Sequence, residues 1–328
     1  MLAARYDRYG RPEVLGLCPE AMPVPKRGQL VVRVHAAALN PKDVIVQSGR
    51  LPLFRFLAGS RFPKHVGYDW SGEVVSCGPG VSGFATGDPL YGMMNGWAGG
   101  ACATHAVVSV RELARKPSKL SWEKAAAVPL AAQTALQALR DVARVVRGAR
   151  VLINGASGGV GTFAVQIAKA LGARVTAVTS GANEDLVRSI GADEALDYQT
   201  CDIRASGERF DVFFDVFGNP SFGFAAPVLT ETGTYVSTVP KPRLLRDIAT
   251  TMVGRKRARL VRVRSRTSDL TTLAWWAERS ILEPVVDSIY PLHEIAAAEA
   301  RVASRRSRGK VVLTVTDDEV TSAPRRVR

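Results

Sequence analysis

Between residues 150 and 180 the apolar positions change their period twice. Residues 151–153 form a short continuous apolar run, as a buried strand does, and a glycine-rich turn follows at 155–161. Val160, Ala164, Ile167, Ala168 and Leu171 then recur at helical spacing until Gly172 supplies a stop, and residues 175–178 are apolar again. Strand, glycine turn, helix and strand within about thirty residues predict a βαβ unit that offers a pyrophosphate the N-terminus of a helix. Read as G-x-G-x-x-G, the turn is Ala156-Ser157-Gly158-Gly159-Val160-Gly161, so Ala156 stands where the first glycine belongs. Gly158 leaves room for the phosphates to approach the backbone, and Gly161 lets the helix pack closely on the strand.

The flanking chain has two textures. Up to about residue 120, short alternating segments (30–39, 71–77, 101–110) are broken by turns such as Gly78-Pro79-Gly80, the pattern of a small barrel or sandwich. From Ser121, an N-cap, helical stretches at 133–146 and 183–190 alternate with strands at 194–197, 210–216 and 233–238, which predicts a parallel, doubly wound sheet. A last strand at 260–264 and a helix at 269–281 follow. Strand 285–290, helix 293–304 and strand 310–315 then read as a return to the first texture. The expected class is α/β, a Rossmann doubly wound parallel sheet plus a β-rich domain. The expected division is 1–121, 122–283 for cofactor binding, 284–316 for the return, and a polar tail at 317–328.

Composition narrows this only a little. The 328 residues suffice for two ordinary domains, and 46% hydrophobic with 23% charged residues is globular. No apolar run is long enough to span a membrane, and charge arrives early in Met1-Leu-Ala-Ala-Arg5, so a cytoplasmic protein is expected. Cys18, Cys77, Cys102 and Cys201 form no C-x-x-C pair and read as reduced thiols. The net charge of +14 draws anions of every kind, and much of the excess lies between Lys241 and Arg266. Arg262, Arg264 and Arg266 alternate, and would share one face of a strand. The aromatic signatures of RNA binding are absent, so a nucleic-acid partner is not expected.

An ordered set of phrases resembles the medium-chain dehydrogenase/reductase superfamily: Asn40-Pro-Lys-Asp43, Val66-Gly-Tyr-Asp-Trp-Ser-Gly-Glu-Val-Val-Ser-Cys-Gly78, the glycine turn and Gly309-Lys-Val-Val-Leu-Thr314. Residues 190–198 and Gly99-Gly-Ala-Cys-Ala-Thr-His105 resemble its zinc-free quinone oxidoreductase branch, most of all the chloroplast-envelope quinone-oxidoreductase-like subgroup. The likeness covers roughly residues 1–316 and is least familiar at 240–271. It implies a GroES-like catalytic domain, a Rossmann domain, a homodimer and NAD(P)H-dependent reduction of quinones or α,β-unsaturated carbonyl compounds.

The resemblance also bears on metal. Where zinc-dependent relatives carry a ligating cysteine and a Gly-His-Glu, this chain has Asn40-Pro-Lys-Asp43 and Gly67-Tyr68-Asp69, and the four-cysteine structural lobe is missing. His35, His65, His105 and His293 are widely spaced. No metal is expected. The second apolar strand ends at Thr179-Ser180-Gly181-Ala182-Asn183 with no carboxylate before Glu184, which favours NADPH over NADH.

The cofactor-binding candidates are Ser157, Gly158, Gly159, Val160, Gly161, Ser180 and Asn183, with Phe217 and Val239 at two strand ends on the cofactor edge, and by resemblance Thr134, Tyr198 and Lys310. Asn40 and Tyr68 are the catalytic candidates, as hydrogen-bond donors to the substrate or nicotinamide, with Asp43 holding their loop. An enone or quinone is already electrophilic and needs only a placed hydride and donors for the developing oxyanion. Two alternatives are an RNA- or membrane-associated NADPH-binding protein with little catalysis and, less favoured, a zinc-dependent alcohol dehydrogenase.

Overall fold

A computed structural model describes residues 1–50 and 61–316, so the polar tail expected at 317–328 lies outside the described residues. The chain divides into two compact units. The first comprises Met1–Leu130, Ser265–Ser280 and the chain from Pro284 on, and the second comprises Ala131–Arg264 with Ile281–Glu283.

The first unit is β-rich. Its main sheet is built on the long strand Gln29–Leu39, which pairs antiparallel with Asp69–Cys77, with His105–Ser109 and with Lys310–Thr314. Alternation along Gln29–Leu39 is incomplete because most of its residues are buried, down to the Ala36-Ala37-Ala38 run at zero exposure. That run is small because helix Trp122–Ala127 packs over it with Ala126 and Ala127. Ser121 caps that helix, its hydroxyl accepting the Lys124 N–H at 3.3 Å.

Helix Thr267–Glu278 also belongs with this unit, although it follows the last strand of the other. The buried Tyr91 hydroxyl donates to the Leu270 carbonyl at 2.6 Å, and the Ser118 hydroxyl donates to Glu278 at 3.0 Å.

In the second unit, among the described residues, six parallel strands form one sheet. In chain order they are Arg150–Asn154, Arg174–Thr179, Glu194–Asp197, Phe210–Asp215, Leu229–Ser237 and Arg257–Leu260. Their spatial order is 3-2-1-4-5-6, the dinucleotide-binding arrangement, with its switch point between the first and fourth strands. Helix Gly159–Ala170 buries almost its whole length, including Phe163, Val165 and Ile167.

Two local expectations are corrected. The stretch 133–146 is not one α-helix: Pro129–Leu136 is α-helical, then Gln137–Val142 widens into π-type turns before Arg144 takes a left-handed φ of 53°. The last strand is Arg257–Leu260 rather than 260–264. It follows Leu229–Ser237 only as far as Ser237, after which the Gln137 side chain holds both the N–H and the carbonyl of Arg264. Arg262, Arg264 and Arg266 therefore share no strand face. Helix Pro242–Thr250, in the least familiar segment, was not expected from the sequence. Among the described residues no helix is long and apolar enough to cross a membrane.

Candidate functional site

Each unit gathers part of the expected chemistry. In the second, the tight turn after Arg150–Asn154 is made by Gly155, whose φ of +83° is left-handed. Ala156, at the motif's first glycine, is fully buried instead. The turn's glycine thus comes one residue earlier than the motif reading placed it. A Cβ on Gly161 would sit 2.1 Å from the Gly155 carbonyl oxygen, so only glycine allows the helix to lie on the turn. A Cβ on Gly158 would meet nothing nearer than that oxygen at 3.5 Å, which leaves the space beside Gly158 open.

Gly158 caps helix Gly159–Ala170 without a side-chain hydrogen bond. The first-turn N–H groups, those of Gly159, Val160 and Gly161, have no acceptor inside the helix and carry its positive dipole end. This cradle fits a pyrophosphate.

Ser157, Ser180 and Asn183 are brought together, and Thr179 joins them. The Thr179 hydroxyl donates to Ser157 Oγ at 2.8 Å, and Asn183 Nδ2 lies 3.2 Å from Ser157 Oγ and 3.0 Å from Ser180 Oγ. Asn183 Oδ1 is buried without a hydrogen-bond partner. Such a knot of hydroxyl and amide groups suits the adenosine ribose and its 2′ substituent. Tyr198 reaches the same strand end through its N–H to the Thr179 carbonyl, and its ring is exposed.

One carboxylate is closer than the sequence suggested. Asp197 lies opposite Thr179 in register, and a Cβ on Gly181 would be 2.8 Å from its Oδ2. Arg188 is exposed, with its guanidinium 3.4 Å from the Ala195 carbonyl.

At the switch point Asp215, fully buried, organises the neighbouring loop. Its Oδ1 accepts from Asn154 Nδ2 at 2.9 Å and from the Gly218 N–H at 2.8 Å, and its Oδ2 accepts from the Tyr235 hydroxyl at 2.7 Å. Gly218 (φ +79°) packs against Val239, and Phe217 lies beside Gly155, so Phe217 borders the glycine turn and Val239 the loop at Gly218. Thr134 is buried in the same unit on Pro129–Leu136. Asp215 and Asn154 were missed by sequence reasoning. The available signal was a carboxylate ending the apolar run Phe210–Asp215.

In the first unit Asn40, Asp43, Asp69 and Lys310 form a buried network. Asn40 and Asp43 make a capping box at the start of helix Pro41–Ser48, with the Asn40 N–H on Asp43 Oδ2 at 2.8 Å. Asp43 Oδ1 accepts the Gly67 N–H at 3.0 Å. Burial pushes the Asp43 carboxyl up to about 6, opposed by those two backbone donors and by Lys42.

Asp69 has no exposure. Its Oδ1 accepts the Leu130 N–H at 2.8 Å, and its Oδ2 accepts from Asn40 Nδ2 at 3.0 Å and Lys310 Nζ at 3.1 Å. Lys310 also donates to Asn40 Oδ1 at 2.5 Å and to the Leu39 carbonyl at 3.2 Å, so three acceptors take its ammonium group. Asn40 Nδ2 further reaches the Ala38 carbonyl at 3.3 Å. Asn40 and Lys310 thus hold each other and Asp69. In this structure both side chains are engaged with each other, with Asp69 and with the backbone of the strand end.

Tyr68 donates its hydroxyl to the Trp97 carbonyl at 3.1 Å, and burial drives its acidity far down. Lys42, not singled out from the sequence, lies with Nζ 3.4 Å from the Tyr68 ring centre and 4.8 Å from that of Trp97, and donates to the Gly96 carbonyl at 2.6 Å. Burial pulls Lys42 down to about 8, opposed by Asp43 and Asp69. Asp43, at about 6, and Lys42, at about 8, thus titrate on either side of neutral pH. Among the described residues no three His, Cys, Asp or Glu side chains form a metal-ligating group.

Elsewhere in this unit Glu299 stands on the core face of helix Ile295–Ala303, with no exposure and no hydrogen-bond partner for either oxygen. Burial first, then Asp43 and Glu13, push its carboxyl up to about 8.

Two family models match parts of the chain. Residues 26–118 match the family model described as alcohol dehydrogenase GroES-like domain, and residues 190–313 match that described as zinc-binding dehydrogenase. NAD(P)H oxidoreductase RTN4IP1, mitochondrial, from Bos taurus is 33% identical, with 94% of this chain and 88% of the relative covered. The chloroplast envelope quinone oxidoreductase homolog of Arabidopsis thaliana is 31% identical, with 95% and 98% covered. Among solved structures, the quinone oxidoreductase from Coxiella burnetii superposes with a TM-score of 0.89 at 31% identity over 96% of this chain and 99% of the other.

Two stability predictions follow from the first unit. Glu299 keeps its proton in the folded chain to about pH 8 and loses it when unfolded near the ordinary carboxyl range. Its contribution is therefore full below the unfolded value and is lost as pH rises through about 8. Relative to the wild type, Glu299→Gln should gain about 1.4 kcal/mol per pH unit across that window in denaturant titrations. An unchanged difference from pH 5 to pH 8 would refute the assignment. Lys310→Met should destabilise the chain by about 3–5 kcal/mol by leaving Asp69 buried without its counter-charge, read as a lower urea midpoint.

Proposed function

The chain belongs to the medium-chain dehydrogenase/reductase superfamily, in its quinone-oxidoreductase-like branch, and on that premise we propose a zinc-independent, NADPH-dependent reductase of quinones or α,β-unsaturated carbonyl compounds. The observation that carries the substrate class is the Asn40–Asp69–Lys310 network. The buried carboxylate is already matched by an ammonium, an amide and a backbone N–H, and a further cation there would meet the Lys310 charge. A site of this kind offers no Lewis acid for deprotonating an alcohol. An enone or quinone requires none.

The nicotinamide, when bound, supplies the hydride. Gly158, the first-turn N–H groups and Ser157 hold the pyrophosphate. Ser180, Asn183 and Tyr198 take the adenosine 2′ group, Phe217 and Val239 flank the dinucleotide, and Thr134 contributes from its buried helix. Asn40 fixes the loop that carries Lys42. Tyr68, whose phenol stays protonated and committed to Trp97, supports Lys42 from below with its ring face. Lys42 delivers the proton to the substrate oxygen that develops negative charge, a role matched to its position near neutral acidity. A homodimer forms part of the same reading.

NADPH and NADH oxidation should be followed against quinones and short and long enones, with and without chelator. Turnover should survive chelation and favour NADPH by about tenfold or more, roughly 1.4 kcal/mol. Loss of turnover on chelation, or equal use of NADH at matched ionic strength, would overturn the reading. Asp197→Asn should widen the NADPH preference, since it removes the carboxylate nearest Gly181. Lys42→Met should lower kcat by about tenfold or more and erase the fall in rate above about pH 8, whereas Tyr68→Phe, which keeps the ring, should retain most of the activity.

A further inference from the structure

Helix Pro242–Thr250 and the turn after it carry an apolar tip that nothing in the second unit covers. Leu244 and Thr251 face inward and are buried, while Leu245, Ala249 and Met252 follow at helical spacing along the outer side. Leu245 is 56% exposed, Met252 64% and Val253 98%. Singly exposed aliphatic residues are ordinary, but these lie within one helical face and its turn.

The surroundings are cationic. Residues 241–264 hold nine lysines and arginines against one carboxylate, Asp247. Arg246 and Arg255 are exposed on either side of the tip, and Arg257 reaches the Met252 carbonyl at 2.8 Å. Lys241 and Arg243 bond the backbone of Gly218, and Lys256 bonds the Ala226 carbonyl at 2.5 Å. Carbonyl partners of this kind leave the positive charge uncancelled. Arg255 alone of these carries a carboxylate partner, the exposed Glu231 at 3.0 Å.

We infer that this face docks the protein on an anionic lipid bilayer, with Leu245, Met252 and Val253 entering the headgroup–acyl boundary and the surrounding cations lying over the lipid phosphates. An aliphatic tip inside a basic ring meets both layers of such a surface: apolar atoms gain from the acyl boundary, and each cation gains from the negative surface potential. A nucleic acid would use the cations but leave the aliphatic tip in water, and the tip offers no aromatic face for stacking. A protein partner would need a strongly acidic counterpart to the same ring.

The test is flotation of the full chain with phosphatidylcholine vesicles, with and without phosphatidylglycerol, over a salt series. Binding should require phosphatidylglycerol and weaken as salt rises. Met252→Asp with Val253→Asp should cut vesicle binding by about tenfold or more, with the melting temperature and NADPH binding unchanged. Arg246→Glu with Arg255→Glu, which leaves the apolar tip intact, should do the same.

Equal binding to both vesicle types, no vesicle binding at all, or full binding by both double variants would overturn the inference. Salt-sensitive binding to single-stranded RNA without vesicle binding would assign the face to nucleic acid. A dimer split by Met252→Asp with Val253→Asp, again without vesicle binding, would assign it to a second copy of the chain.

Discussion

A fully buried carboxylate cannot remain charged without a counter-charge, and Asp69 obtains one from a lysine 241 residues further along the chain. That pairing ties three separated stretches together. Lys310 begins the returning strand Lys310–Thr314, Asp69 begins the strand Asp69–Cys77, and Asn40 ends the run that joins them through Gln29–Leu39. The returning segment is therefore held by more than sheet hydrogen bonds. Without it, Asp69 would lose its cation and Asn40 its partner, and the loop that presents Lys42 would lose its anchor. The network gives this part of the first unit its geometry.

The second unit rests on a different constraint, close approach of backbone to backbone. Gly161 lies where any side chain would strike the Gly155 carbonyl, and Gly155 adopts the left-handed turn that brings the helix back over the sheet. Asp215 then braces the other side of the switch point by holding Asn154, Gly218 and Tyr235 at once. A helix N-terminus and a rigid rim are thus set at the carboxyl ends of the central strands before any ligand arrives, so little ordering remains to be done on binding.

Much of this architecture was legible because it rests on periodicity. The change from a continuous apolar run to helical spacing and back places Arg150–Asn154, Gly159–Ala170 and Arg174–Thr179 almost to the residue. Ser157, Ser180 and Asn183 were readable too, since strand ends and first helical turns are fixed by the same pattern. What stayed hidden depends on contacts between residues far apart in sequence. Nothing in the phrase Asn40-Pro-Lys-Asp43 says that both sides of the Asn40 amide are taken, because one partner lies at position 310. Asp197 reads as the polar end of a short strand, and its nearness to Gly181 emerges only once Glu194–Asp197 is in register with Thr176–Thr179. The helix Pro242–Thr250 escaped for a different reason: it is short and rich in arginine, and Leu244 is its one buried residue, so it has little apolar content to mark it despite its helical period.

The buried acids of the first unit reach three different settlements with the low-dielectric interior, and their differences set the behaviour of Lys42. Burial raises the Asp69 carboxyl, and Lys310, Asn40 and the Leu130 N–H oppose that rise. Glu299 has no partner and keeps its proton instead. Asp43 lies between these cases, pushed up by burial but held by two backbone N–H groups that favour its charged form. Burial alone would make Lys42 surrender its proton readily, and the charges on Asp43 and Asp69 oppose that loss. Were Asp43 neutral, the ammonium would lose the larger of its two electrostatic supports and its acidity would rise further. The capping box that starts helix Pro41–Ser48 therefore has a chemical consequence. By holding Asp43 between the N–H groups of Asn40 and Gly67, it keeps a negative charge near Lys42 and so opposes the loss of the Lys42 proton that burial favours.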